Sequence, residues 1–139
     1  LGIRLLAGKT SDRFGRVPVM RVASITMVLA MITIAFAETK LALMGAGVLF
    51  GSAVGMYSPT TAAWVIDLSL DKFRGRALAT MYIFLEAGIG IGAIVSGFLY
   101  DNQPENFRLV FLFSGGMAFL AFIALLFVKR DRKSEMHLT

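Results

Sequence analysis

Long runs of apolar residues, separated by short charged segments, dominate the sequence. Residues 17–37, 41–66, 77–100 and 109–128 contain no charged residues except Arg21 and Glu86. A helix needs about 20 apolar residues to cross a bilayer core of about 30 Å. Each run is long enough, and none alternates with the period of two that is typical of a membrane β-barrel. The pattern therefore predicts an all-α membrane protein with four membrane spans.

The segments outside these runs complete the predicted organisation. Residues 1–7 are apolar apart from Arg4 and are expected to form the last turns of an earlier helix, a short helical stub. Residues 8–16 are a charged loop, and residues 129–139 are a polar tail. The chain does not begin with Met, so we expect a fragment whose upstream part is missing.

Composition supports the membrane assignment. The chain is 57% hydrophobic and 17% charged, whereas a soluble domain is about 25% charged. There is no cysteine, which excludes disulfides and thiolate metal sites. The sequence holds no metal-ligand set, nucleophile triad or cofactor motif, so we expect no metal, no cofactor and no enzymatic activity.

The basic residues are distributed unequally between the two ends of the predicted spans. Most fall in residues 1–21, in the 67–76 loop and in the tail, whereas Lys40 and Arg108 are alone in the other connections. The positive-inside rule then places residues 8–21, residues 67–76 and the tail in the cytoplasm. The net charge of +5 follows from this topology and does not indicate nucleic-acid binding.

The segment "LLAGKTSDRFGR", residues 5–16, has two interpretations. A phosphate-binding loop reads G-x-x-x-x-G-K-[ST], and Gly8, Lys9 and Thr10 match its end. Its first glycine would fall at Ile3, whereas the glycine of this chain is Gly2. The hinge interpretation fits better, because the segment lies between two apolar runs. Two glycines would permit a tight reversal, and an acid among arginines could form ion pairs.

The spacing G-x-x-x-D-R-x-G-R resembles the loop signature of the major facilitator superfamily. The matching residues are Gly8, Ser11, Asp12, Arg13, Gly15 and Arg16. The chain departs from the signature at Thr10, which is usually aliphatic, and at Val17, which is usually basic. These departures are typical of the less strict copy in the C-terminal half of such transporters. A plain charged loop marking the membrane interface is the alternative.

The second basic loop extends the resemblance. The segment "DLSLDKFRGRALAT" begins at Asp67 and again places an acid before R-G-R-A. The resemblance implies helices nine to twelve of a twelve-helix transporter, with a stub of the eighth. It is most similar to bacterial sugar or drug efflux permeases, which implies a bacterial cytoplasmic membrane. The expected conformational gate consists of Gly8, Asp12, Arg13, Gly15, Arg16, Asp67, Arg74 and Arg76.

Glu86 is the charged residue deepest within a predicted span. It lies ten residues after Arg76, about 15 Å along a helix and so near the middle of the bilayer. A carboxylate at this depth is costly unless it faces protein or water. Tyr82 and several small residues share its face. We therefore expect Glu86 to bind a proton or contact substrate, or else to be a structural carboxyl bonded to a neighbouring helix.

The second span contains a proline among polar and aromatic residues. Pro59 cannot donate to the carbonyl of Gly55, so a kink or loosened turn is expected. Tyr57, Thr61 and Trp64 share one helical face and are candidates for the wall of a solute cavity, although Trp64 also suits an interfacial anchor. Gly47, Gly51 and Gly55 repeat every four residues and form a small-residue row that favours close helix packing.

Together these observations predict a secondary active transporter of a small organic solute, such as a sugar or drug. It would work by alternating access, with a proton as candidate coupling ion. Its expected partners are the solute, membrane lipid and the missing N-terminal half of the same transporter, with no nucleic acid. A four-span non-transporting subunit or scaffold and a small homodimeric exporter are the alternatives.

Overall fold

Four long helices make up the fold of the computed structural model, which describes Ser11 and residues 15–128. The helices are α1 (Arg16–Ala35), α2 (Lys40–Leu68), α3 (Arg74–Tyr100) and α4 (Phe107–Phe127). Short 3₁₀ turns, Asp71–Phe73 and Pro104–Asn106, precede α3 and α4. All four helices are long and apolar enough to cross a membrane. The predicted all-α fold with four spans is confirmed. The predicted stub and tail lie outside the described residues.

Local sequence accounts for several helix boundaries. Pro18 lies in the first turn of α1, where a missing N–H costs no helical hydrogen bond. Thr39 caps α2, because its side chain accepts a hydrogen bond from the Ala42 amide at 3.2 Å. Asp101 ends α3 in the left-handed conformation, with φ of 45°. Helix α2 continues through Pro59, so the proline does not divide it into two helices.

Helix α1 lies at the centre of the described bundle, packed between α2 and α4. Its Ala23 and Ala30 are fully buried, as are Ala46 and Ala53 of α2. On the α4 side, a Cβ atom at Gly115 would lie 3.3 Å from the Met31 Cβ. Small residues therefore let α1 approach its neighbours closely, as is usual for helices that associate in a membrane.

The packing row of α2 differs from the row that the glycine spacing suggested. Its buried residues include Ala46, Ala53 and Thr60, spaced seven apart and so on one face. Of the glycine row, Gly55 is buried, whereas Gly47 and Gly51 are exposed, and a Cβ at either of these two would meet no atom within 4 Å in the described part of the chain. Alanine, which is small but keeps its side chain, serves the α1 contact.

Helix α3 is the least covered of the four. None of its residues is buried, and every residue from 82 to 94 is exposed. Its half-buried residues lie near its two ends, where short turns lead to α2 and α4. The middle of α3, which carries Glu86, therefore presents all its sides outside the described bundle.

Candidate gating and solute sites

An ion pair joins the two segments from which the gate was predicted. The Arg16 Nε donates to Asp67 Oδ2 at 2.9 Å, and Arg16 Nη1 donates to the Ser11 hydroxyl at 2.6 Å. Arg16 opens α1 and Asp67 lies in the last turn of α2. The Arg16 side chain is 21% exposed and the Asp67 side chain is 49% exposed. The pair is thus partly accessible to solvent and links two helices across 51 residues of sequence.

We call this part of the molecule the basic end of the bundle; it comprises residues 15–21, 67–76 and 127–128. Two further arginines of the predicted gate lie here, but they contact their own loop. Arg74 Nη2 is 2.8 Å from Asp71 Oδ1, and both side chains are largely exposed. The Arg76 guanidinium lies 5.9 Å from the centre of the Phe73 ring. Gly8, Asp12 and Arg13 lie outside the described residues.

Gly15 has the backbone conformation that a glycine in the signature would supply. Its φ of 93° and ψ of 156° fall in a region that is essentially restricted to glycine. The residue immediately precedes α1, and its amide donates to the Ser11 carbonyl at 3.1 Å. The turn at Gly15 therefore sets the direction of the backbone at the start of α1, where Arg16 lies.

Glu86 and Tyr82 lie one turn apart in α3. Glu86 is the thirteenth of the 27 residues of this helix, and so lies at its midpoint. Both side chains are exposed, Tyr82 to 51%. In a membrane-spanning helix, a carboxylate at this depth needs a protein or water environment to offset its desolvation. Glu86 and Tyr82 are therefore exposed polar side chains near the midpoint of a helix that is long and apolar enough to cross a membrane.

One of the three residues predicted to line a cavity on α2 forms a hydrogen bond within its own helix. The Thr61 hydroxyl donates to the Tyr57 carbonyl at 2.8 Å, which is usual for threonine inside a helix. Tyr57 and Trp64 are half-buried. The described residues contain no hydrogen bond that links these three side chains to Glu86, so the α2 and α3 candidates remain separate groups.

Thr60 is a polar residue of this region that was not singled out as a candidate from the sequence. It is fully buried, and its hydroxyl has no hydrogen-bond partner among the described residues; the same holds for the indole Nε1 of Trp64, one turn further. The sequence signal was the seven-residue spacing from Ala46 and Ala53, which places Thr60 in the same buried row. Trp64 thus directs its polar atom into the protein, which differs from an exposed interfacial anchor.

The described residues do not form a cluster of side chains that could bind a metal ion. Between residues 15 and 128, no group of three or more His, Asp or Glu side chains lies close enough to hold an ion. The polar groups in that range include an inter-helix ion pair and a local ion pair at the basic end, together with polar side chains within the helices.

These features define a polytopic α-helical membrane protein with a charged connection at one end of its bundle and a carboxylate near the midpoint of one long apolar helix. The family model of the Major Facilitator Superfamily matches residues 2–138. The chain belongs to this superfamily of membrane transporters, as its loop signature predicted.

Known proteins similar to this chain include transporters with different named substrates. A multidrug resistance protein, MdtG of Proteus mirabilis, is 31% identical over 86% of this chain. The multi-drug resistance efflux pump PmrA of Streptococcus pneumoniae is 31% identical over 89%. The proton myo-inositol cotransporter hmit-1.2 of Caenorhabditis elegans is 24% identical over 88%.

The chain spans only part of each relative. The matched segment covers 29% of the Proteus protein, 31% of the Streptococcus protein and 20% of the Caenorhabditis protein. No solved structure gives a significant match.

Proposed function

We propose that this chain forms helices nine to twelve of a twelve-helix secondary active transporter that moves a small organic solute by alternating access. The observation that carries the proposal is the superfamily match over residues 2–138. The four membrane-spanning helices and the relatives named as transporters support it. In such a mechanism, one half of the protein rocks against the other around a site near the membrane midplane.

We propose that the basic end faces the cytoplasm of a bacterial cell and contains the conformational gate. The concentration of arginine and lysine at this end supports that orientation. The contact between Arg16 and Asp67 fastens the start of α1 to the end of α2. A partly exposed ion pair contributes about 0–1 kcal/mol. A conformational equilibrium responds to energies of this size, since about 1.4 kcal/mol changes an equilibrium constant tenfold.

The solute and proton sites are proposed on the polar groups of α2 and α3. Glu86 and Tyr82 form a polar patch at mid-depth of α3, where a carboxylate can exchange a proton as access alternates. Tyr57, Thr61 and Trp64 of α2 supply aromatic and hydroxyl groups. The exposure of the whole middle of α3 supports a role for this face in a cavity completed by other parts of the transporter.

For the solute we propose a drug-like or polyol compound. Two relatives that are 31% identical are named for multidrug resistance, and a third is named for proton-coupled myo-inositol transport. The bacterial drug transporters are the nearer match in identity. Drug efflux is therefore the first activity to test.

The direct test uses the full-length protein in proteoliposomes with an imposed pH gradient. Ethidium tests drug transport and radiolabelled myo-inositol tests polyol transport. Gradient-dependent movement of either probe, abolished by a protonophore, supports secondary transport coupled to protons. Transport of either probe at a rate independent of the pH gradient supports an uncoupled carrier. If neither probe moves under any gradient, these two solute classes are excluded for the protein.

The gate is tested with a pair of single substitutions. Asp67→Asn removes the inter-helix ion pair and should slow transport several-fold at unchanged expression. Asp71→Asn is the matched control, because it removes a carboxylate of a local pair in the same loop, and should have the smaller effect. Equal rates for the wild type and Asp67→Asn would exclude a gating role for this pair.

The two other interpretations make distinct predictions. A reading frame that continues upstream for about 250 residues, with a second D-R-x-G-R loop, supports the twelve-helix transporter. A start codon just before Leu1 would support a small homodimeric exporter or a non-transporting membrane subunit instead. Transport activity of the purified protein alone would then indicate the exporter, and its absence would indicate the non-transporting subunit.

A further inference from the structure

Arg21 contacts the end of α4 in a way that neither the gate nor the solute site explains. Its Nε and Nη2 donate to the Leu125 carbonyl at 3.1 and 2.9 Å. Nη2 also lies 3.4 Å from the carbonyl oxygen of Val128 and 3.5 Å from that of Leu126. One guanidinium group of α1 thus reaches three carbonyls at the end of α4, two in its last turn and one just after it, and the first of these lies 104 residues away along the chain.

The end of α4 needs such a partner. The last four carbonyls of a helix have no intrahelical donor, and a left-handed glycine after the helix usually satisfies some of them. Helix α4 has no glycine there: it ends at Phe127, and Val128 follows with an extended backbone of φ −72° and ψ 115°. Unpaired carbonyls near a membrane are costly, and a cation favours the negative end of the helix dipole.

Two arginines of α1 contact different neighbouring helices because they point in different directions. Arg16 and Arg21 are five residues apart, so at about 100° per residue they point in directions about 140° apart around the helix. Arg16 contacts the end of α2, and Arg21 contacts the end of α4. The first two turns of α1 therefore hold both of its neighbours at the basic end.

We propose that Arg21 is a cross-helix cap that terminates α4 and fastens it to α1, so that α1, α2 and α4 are held together at the basic end. This inference concerns the assembly of the bundle and is independent of the solute. It assigns Arg21 a role beyond that of a charge for membrane orientation. The planar guanidinium supplies several donors in a fixed fork, whereas lysine has a single nitrogen centre.

Three variants of the full-length transporter test the cap. Arg21→Met removes the donors and the charge, and Arg21→Lys keeps the charge but loses the fork. Lys72→Met is the matched control, because it removes an exposed charge from the neighbouring loop. The cap predicts that both Arg21 variants lower the midpoint of thermal unfolding in detergent by several degrees, and that Lys72→Met does not. An Arg21→Lys protein with wild-type stability would show that only the charge matters and would overturn the proposal.

A local measurement distinguishes the cap from a general loss of stability. In a cysteine-free background, a cysteine at Val128 reports on the end of α4. Release of this end in the Arg21→Lys protein should increase the rate of maleimide labelling several-fold, while a cysteine at the distant Asn102 keeps its rate. Equal labelling of Val128→Cys with arginine or lysine at position 21 would contradict the cap.

A covalent link between the same helices provides a rescue experiment. A Cβ at Gly115 would lie 3.3 Å from the Met31 Cβ. The two Cβ atoms of a disulfide are typically about 3.5–4.5 Å apart, so this separation is close to the usual range and slightly below it. Oxidised Met31→Cys/Gly115→Cys should therefore join α1 to α4. If Arg21 acts by fastening these helices, the disulfide should restore much of the stability lost in Arg21→Met. An undiminished loss after oxidation would argue against the proposal.

Discussion

Gly15 illustrates how one residue determines the geometry of the basic end. Its φ of 93° and ψ of 156° are accessible to glycine and strained for residues with a Cβ atom. The turn leads directly into α1, whose first residue forms the ion pair with Asp67. The conformational freedom of a single glycine therefore positions an inter-helix contact.

Substitution of Gly15 by alanine should destabilise the protein by about 1–3 kcal/mol, because the positive φ is then strained. Gly75→Ala is the control. Gly75 lies in the first turn of α3, where a Cβ meets nothing within 4 Å in the described structure. Alanine at position 75 should be neutral or stabilise the helix by about 0.5–1 kcal/mol. Scanning fluorimetry of both purified variants compares them, and equal stabilities would contradict the strained conformation.

At the scale of the helices, the apolar runs of the sequence coincide with the four long helices of the structure. The run at 41–66 corresponds to α2 over Lys40–Leu68, and the run at 77–100 to α3 over Arg74–Tyr100. Apolar runs delimit membrane helices well because every backbone polar group in a bilayer must be satisfied within its segment. The packing faces were harder to predict. In α2 the buried row of Ala46, Ala53 and Thr60 contacts the bundle, whereas only Gly55 of the predicted glycine row is buried.

For helix α3 the proposed role rests on a single side chain, that of Glu86. If Glu86 exchanges protons during transport, Glu86→Gln should abolish solute accumulation driven by a pH gradient and spare downhill exchange. Glutamine keeps the size and most hydrogen bonding of glutamate but cannot titrate. Transport of ethidium in proteoliposomes, with and without the gradient, measures both activities.

Glu105→Gln is the control for this experiment, because Glu105 is an exposed carboxylate in the short turn before α4. It should leave accumulation unchanged. Normal accumulation in Glu86→Gln at normal expression would show that Glu86 has a structural role only.

At the scale of the whole molecule, charge asymmetry predicts the orientation in the membrane. The basic end should face the cytoplasm, and the turn after α3 should face outward. The chain contains no cysteine, so single cysteines can be introduced without background from this segment. In intact cells, a membrane-impermeant maleimide should label Asn102→Cys and leave Lys72→Cys unlabelled. Labelling of Lys72→Cys alone would reverse the orientation.

The sequence by itself determined the class of fold, the number of spans and the superfamily. These properties depend on local features, namely apolar runs of bilayer length and a loop signature of fixed spacing. Such features can be recognised without knowledge of the tertiary contacts between residues. It also indicated Arg16 and Asp67 as members of one gate. Their assignment rested on two loops that the predicted topology brings to the same end.

Only the tertiary structure decided which partners these side chains have. It paired Arg16 with Asp67, left Arg74 with Asp71, and placed Arg21 on the carbonyls at the end of α4. It also showed that α1 lies between α2 and α4 while the middle of α3 stays uncovered. The physical reason is that all four helices are predominantly apolar around their circumference, so hydrophobicity brings them into the membrane but does not specify their neighbours. Close packing of small residues and a few inter-helix polar contacts make that choice.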